Sequence, residues 1–191
     1  RQSYYQNAFP IAERLGYANE GLLRVRQKVR GQYDPSVFAF FSWPNAEAAQ
    51  KYRANPRFAE FKQLRREAWH EMNIYDAEIR EDLRLTFDPA KHYTALIAWL
   101  DEDTRADYTR YLEGIEPAVT RAGGRFIYKE FDPYMQALDG SGDAPGQITF
   151  VEWASEDGFE KVQQSPEYAA HQRYFASSVE RFEFYWLKAP G

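Results

Sequence analysis

Residues 36–45 read Ser36-Val-Phe-Ala-Phe-Phe-Ser-Trp-Pro-Asn45, and residues 146–155 read Gly146-Gln-Ile-Thr-Phe-Val-Glu-Trp-Ala-Ser155. Laid over each other without a gap, they place Phe40 on Phe150 and Trp43 on Trp153. The same offset then sets Lys51 on Lys161, Pro56 on Pro166, Ala59 on Ala169 and Tyr75 on Tyr185. Between these identities the chemistry agrees: Asn55 falls on Ser165, Phe58 on Tyr168, Met72 on Phe182 and Ile74 on Phe184. Self-similarity at a fixed spacing is the mark of a repeated structural unit. The chain therefore reads as two copies of one unit.

Working outward, the later copy is the fuller one. Tyr93 to Leu100 is a strand by its apolar, β-prone composition. Asp101 to Asp103 give an acidic start to a helix carrying Tyr108, Tyr111, Leu112, Ile115, Ala118, Val119 and Ala122 along one stripe. Gly123-Gly124 ends that helix, and Arg125 to Phe131 and Ile148 to Trp153 read as strands. Glu156 to Gln164 reads as a helix. Ser165-Pro166 is an N-cap followed by the proline favoured at a first helical position. Phe182 to Leu187 closes the copy as a strand. This order, strand–helix–strand–strand–helix–strand, is that of the ferredoxin-like split βαβ.

The earlier copy follows the same plan without its first strand. Residues 3–16 have helical spacing, with Gly16 as the stop. Leu22 to Val29 alternates, with Leu23, Val25, Gln27 and Val29 on one side and Arg24, Arg26, Lys28 and Arg30 on the other. The basic row is either a phosphate or carboxylate binder or a solvated face whose aliphatic stems cover apolar neighbours. Val37 to Trp43 is a strand, Ala46 to Tyr52 a helix, Asn55-Pro56 a second cap pair, and Met72 to Ile79 a short strand. Either residues upstream of Arg1 supply the opening strand, which is the favoured reading, or that sheet is one strand short. The expected division is residues 1–79 for the first ferredoxin-like copy, 80–91 for a linker around Asp88-Pro89, and 92–191 for the second.

Bulk properties narrow the class. The chain has 191 residues, a net charge of −5 and 17% aromatic content. An acidic balance argues against nucleic acid as a partner, and no apolar run is long enough to cross a membrane. With no Cys there is no disulfide, thiol nucleophile or thiolate metal site. That fits the cytoplasm, although secreted proteins without Cys exist.

Gly123-Gly124-Arg125-Phe126 after a helix, a strand ending in Glu152-Trp153, and Ser165-Pro166-Glu167-Tyr168 opening a helix together resemble one family. It is the "domain of unknown function 1330" branch of the dimeric α/β-barrel superfamily, and the resemblance covers roughly residues 92–188. It implies an α+β architecture in which two ferredoxin-like βαββαβ units pack sheet to sheet, here within one chain as a pseudo-dimer, with a further homodimer open. The residues support this independently. Both faces of the strands are apolar, Phe38 and Phe40 against Phe41 and Trp43, and Ile148 and Phe150 against Val151 and Trp153, so the second face needs a cover. The resemblance also implies either a small-molecule site, for an apolar, aromatic or polyketide-like compound handled in the manner of cofactor-free monooxygenases or isomerases, or a non-catalytic binding or assembly module. No cofactor is expected.

Polar residues on apolar strands are the candidate site. Glu152 would serve as general acid or base if buried, or else as an edge carboxylate paired with Lys or Arg. Tyr128 and Glu130, read as sharing a face with Phe126, would form a polar pocket end or a solvent-facing tip. His171 replaces Phe61 of the first copy and is a base, a haem ligand or a packed His. Trp153 and Trp99 are candidate walls for an aromatic ligand or ordinary core. His92 and His70 read as structural. No spacing suggests a metal site, and the Gly-rich loop Asp139 to Gly146 lacks the Gly-Lys-Ser/Thr ending of a phosphate cradle.

Overall fold

A computed structural model describes residues 1–130, 134–138 and 141–191. In chain order the elements are α1 (Gln2–Arg14), β1 (Ala18–Arg30), β2 (Val37–Ser42), α2 (Ala46–Arg53), α3 (Phe58–Ala68), β3 (Ile74–Ala77), β4 (His92–Leu100), α4 (Arg105–Arg121), β5 (Gly124–Tyr128), β6 (Met135–Leu138), β7 (Gln147–Trp153), α5 (Gly158–Gln163), α6 (Pro166–Ser178) and β8 (Val179–Lys188). One sheet runs β2-β1-β8-β4-β7-β5, and β3 pairs with β6 in a second. Within the first, β8-β4-β7-β5 is the ferredoxin-like order, with each pairing antiparallel. The α+β, ferredoxin-like expectation holds.

The chain forms two compact units. The first comprises Arg1–Gly21, Ala39–Glu78 and Gln136–Ala144, and the second Leu22–Phe38, Ile79–Met135 and Pro145–Gly191. In the first unit, Tyr4, Ala8 and Ala12 of α1 meet Tyr52 of α2 and Phe61 of α3, with the Tyr52 and Phe61 rings stacked at 5.9 Å. Gly16 ends α1 at φ +85°, where a Cβ would also come within 2.9 Å of the Pro44 ring.

In the second unit, one sheet face meets the helices. The α4 stripe expected from the sequence is buried, including Tyr108, Tyr111, Leu112, Ile115, Ala118 and Val119, and it packs on Val151 and Trp153 of β7. The opposite face is also buried, as the two-sided apolar pattern required: Tyr93, Ala95 and Tyr185 are each 0% exposed. Phe38 covers part of it, with ring centroids 6.0 Å from Phe150 and 5.4 Å from Tyr185. Residues 80–91 contribute as well. Phe87 lies edge-on to Tyr93 at 5.7 Å, and the Asp88 N–H donates to the Tyr93 hydroxyl at 2.7 Å.

Several local expectations change. The alternation read along residues 22–30 is broken by two bulges. Val25 pairs with Leu187 but Gln27 with Trp186, so Val25 and Gln27 lie on opposite faces; a second shift falls between Lys28 and Arg30. The basic row is consequently divided. Lys28 pairs with Asp34 at 3.3 Å, whereas the Arg30 guanidinium lies 4.6 Å from the centre of the Phe182 ring. Asn55-Pro56 does not open α3. The Asn55 carboxamide instead accepts from the Arg57 N–H in a turn, and the helix starts at Phe58. Ser165-Pro166 does cap α6, with the Ser165 hydroxyl accepting from the Tyr168 N–H at 3.1 Å. β6 was not expected. The strand read over residues 125–131 runs from Gly124 to Tyr128, and its expected last residue, Phe131, lies outside the described residues, as do Asp139 and Gly140 of the Gly-rich loop.

Candidate functional site

Alternation along β7 sends Thr149, Val151 and Trp153 to the helix side and Ile148, Phe150 and Glu152 to the other. Trp153 is fixed from three directions. Its indole N–H donates to the Thr94 hydroxyl on β4 at 2.9 Å. Its ring lies against Gly124 and Gly158, where added Cβ atoms would come within 2.6 and 2.3 Å. Those two approaches account for Gly124 following the helix stop and for Gly158 opening α5.

Beside Trp153 is a mostly apolar cavity of about 30 Å³ between β4, β7, β5 and β8 and the helices α4 and α5. That is enough for one water-sized group. The half-buried rings of Phe126 and Phe159 form part of its lining. Four hydroxyl-bearing side chains also line it, Thr94, Tyr108, Tyr111 and Thr149, and Thr94 accepts from Trp153. Of these, Tyr108 of α4 and Thr149 of β7 are 2% and 4% exposed, and neither oxygen has a hydrogen-bond partner within the protein. An orphaned buried hydroxyl carries a desolvation cost on the order of 1–3 kcal/mol. Burial pushes the Tyr108 phenol well above its ordinary value, only partly opposed by the neighbouring Thr149 hydroxyl. Tyr108 is therefore a neutral donor near pH 7, not a base.

The residues singled out from the sequence are dispersed. Trp153 and Phe126 line the cavity. Glu152 points to the opposite face, where the Tyr93 hydroxyl donates to it and Arg125 pairs with it, both at 3.3 Å. Tyr128 does not share a face with Phe126. A bulge after Phe126, which pairs with Val151, sets Tyr128 against Phe150. Burial, then the nearby Glu130 charge, push the Tyr128 phenol up to about 12. Glu130 takes the Arg80 N–H at 3.2 Å. Trp99 is on the second face under the Arg181 guanidinium, 3.5 Å from the ring centre. His171 sits between helices. Its Nδ1 is 2.8 Å from the Glu167 carbonyl, and its ring occupies the space that a Cβ on Gly114 of α4 would need.

Sequence reasoning missed Tyr108 and Thr149. The sequence pattern shows Tyr108 only as part of a core stripe, and Thr149 is a less conspicuous polar residue than Glu152 on the same strand. The usable signal was register, since Thr149 shares its alternation with Val151 and Trp153. Glu183 was missed too. It is 2% exposed on the second face of β8, accepting from the Tyr185 hydroxyl at 2.7 Å and from the Gln32 N–H at 3.2 Å. Among the described residues there is no cluster of three metal-ligating side chains, and no helix is long and apolar enough to cross a membrane.

Residues 94–181 match the family model of DUF1330, a domain of unknown function. An anthrone oxidase-like protein of known structure aligns over 100% of this chain and 86% of its own, with 11% identity and a TM-score of 0.55. A candidate monooxygenase from Fusobacterium nucleatum aligns over 99% of this chain and 85% of its own, with 10% identity and a TM-score of 0.50. A protein of unknown function from Rhodopseudomonas palustris aligns over 55% of this chain and 85% of its own, at 15% identity and a TM-score of 0.46. The first two alignments carry the fold alone, and together with the family match they fit a ferredoxin-like, dimeric α/β-barrel type of fold. No curated protein matches the chain.

Proposed function

We propose that this protein binds a small, largely apolar aromatic molecule in the second unit, between the sheet and α4 and α5, with Tyr108 and Thr149 as its polar contacts. The observation that carries this reading is the pair of orphaned, buried hydroxyls in the wall of one apolar cavity. Few polar groups in an apolar concavity are what small-molecule sites supply. The cavity is far smaller than the roughly 150 Å³ that accepts a benzene-sized guest. A ring must therefore enter by displacing its half-buried lining, Phe126 and Phe159.

The lining offers hydroxyls and no carboxylate or imidazole. That favours binding, or chemistry in which the bound molecule itself supplies the reactivity, as in cofactor-free oxygenation, over acid–base catalysis by Glu152 or His171. The anthrone oxidase-like neighbour makes a polycyclic aromatic ketone a sensible first probe. Native mass spectrometry of the purified protein with anthrone, alongside its thermal melting, tests the reading. A one-to-one complex and a raised Tm are expected. Absence of any complex with this or smaller aromatics, with no co-purified ligand, would sink it.

The repeat reading belongs here as well. At the spacing that superposes Phe40 on Phe150, β2 falls on β7, α2 on α5, α3 on α6 and β3 on β8. This agreement of element order supports a duplicated ferredoxin-like module, with residues 1–79 and 92–191 as the copies.

A further inference from the structure

We propose that Tyr108 and Thr149 form a two-donor cradle for one oxygen atom of the ligand, and that the cradle favours phenol- or enol-type ligands in their ionised form. The inference rests on the binding reading above and adds the class of group that the site selects.

The two hydroxyls come from different elements, α4 and β7, and line the same cavity. They are near enough for Thr149 to influence Tyr108, yet neither atom has a partner within hydrogen-bonding geometry. Each can therefore turn its proton toward a third oxygen. The other two hydroxyls in the lining are not equivalent: Thr94 already accepts from the Trp153 indole, and the Tyr111 hydroxyl is not among the orphaned atoms. None of the cavity-lining side chains carries a carboxylate, ammonium, guanidinium or imidazole, so selection rests on the two O–H groups.

A phenolate or enolate oxygen has lone pairs for both donors. Hydrogen bonds to a charged acceptor are roughly twice as strong as those to a neutral one. Held on α4 and β7, the two donors need little reorganisation as charge develops on the oxygen. Burial opposes the anion, so the signature of the cradle is a difference between the native cavity and one lacking its hydroxyls. On ionisation the ligand's O–H proton passes to solvent water. No redox step or second reactant is involved.

The test uses the full chain and 4-nitrophenol, whose two protonation states absorb differently. Titration of the bound probe against pH gives its apparent pKa in the wild type, in Tyr108→Phe and in Thr149→Val. Both substitutions keep shape and remove an orphaned hydroxyl, so the fold should survive; melting temperature checks this. The phenolate-to-phenol affinity ratio should fall about tenfold or more in each variant, in line with the strength of hydrogen bonds to charged groups. If the probe binds and both variants keep the wild-type ratio, the cradle is refuted while the binding reading stands. If neither form binds to the wild type, both are refuted.

Discussion

Glu183 is the residue whose replacement should cost most. Its carboxylate is buried and holds the Gln32 N–H and the Tyr185 hydroxyl, with Gly31 leaving room for both. Glu183→Ala orphans those donors and opens a void, which predicts a loss of roughly 2–4 kcal/mol. Urea unfolding monitored by Trp fluorescence measures it, and a change below about 0.5 kcal/mol would contradict this account. Glu152 behaves differently, since its partner Arg125 is largely exposed. Glu152→Gln should cost under about 1 kcal/mol and leave aromatic ligand uptake intact. Loss of uptake in that variant would return Glu152 to the site. The tyrosines set an alkaline limit. Tyr128 is held at about 12 against an ordinary value of 10.0, with burial the larger cause, and Tyr108 and Tyr111 are raised too. Between pH 10 and 12 the unfolded chain has lost phenolic protons that the folded chain retains, so stability must fall as pH rises. Melting temperature followed from pH 9 to 12 should decline from about pH 10, with part of the tyrosinate absorbance appearing only on unfolding.

Among the elements, the α4–α6 contact is governed by Gly114 and His171. A Cβ on Gly114 would sit 2.1 Å from the His171 ring. Gly114→Ala should therefore destabilise the protein by about 1–3 kcal/mol through overpacking, despite the better helix propensity of Ala. Adding His171→Ala should recover most of that loss, and a double-mutant cycle in urea reads the coupling. Additivity of the two changes would exclude the ring-on-glycine contact. The cap at Ser165 was readable from the sequence because it is local: one hydroxyl meets an N–H three residues on. The parallel reading of Asn55-Pro56 did not transfer, because Asn55 spends its side chain on the Arg57 N–H within a turn. The face assigned to Tyr128 failed for a related reason. One extra residue in a strand reverses every later side chain, and no single-residue pattern announces it.

At the scale of the whole molecule, the proposed copies and the compact units have different boundaries. β1 lies within the proposed first copy, yet its residues from Leu22 onward belong to the second unit and pair with β8 from Arg24↔Lys188 to Arg30↔Phe184. Residues 31–38 and 79–91 also belong to that unit, and Phe38 and Phe87 cover its second face. A fragment of residues 92–191 would lose all three segments, leaving a β8 edge unpaired and an apolar face bare. It should self-associate or aggregate, whereas a fragment that retains residues 22–38 and 79–91, joined by a linker, should be better behaved. Size-exclusion chromatography with light scattering compares them. A monomeric, cooperatively melting 92–191 fragment would overturn this account of the cover.

The sequence alone determined the ferredoxin-like order within residues 92–191, the buried stripe of α4, the glycine stops and the two-sided apolar sheet. These follow from periodicity, composition and contacts within a few residues. Only the tertiary structure decided where the orphaned hydroxyls meet, which face Tyr128 and Glu152 present, and which segments cover the second face. Those depend on bulges and on residues far apart in the chain, such as Tyr108 and Thr149, brought to one cavity by packing that no local pattern encodes.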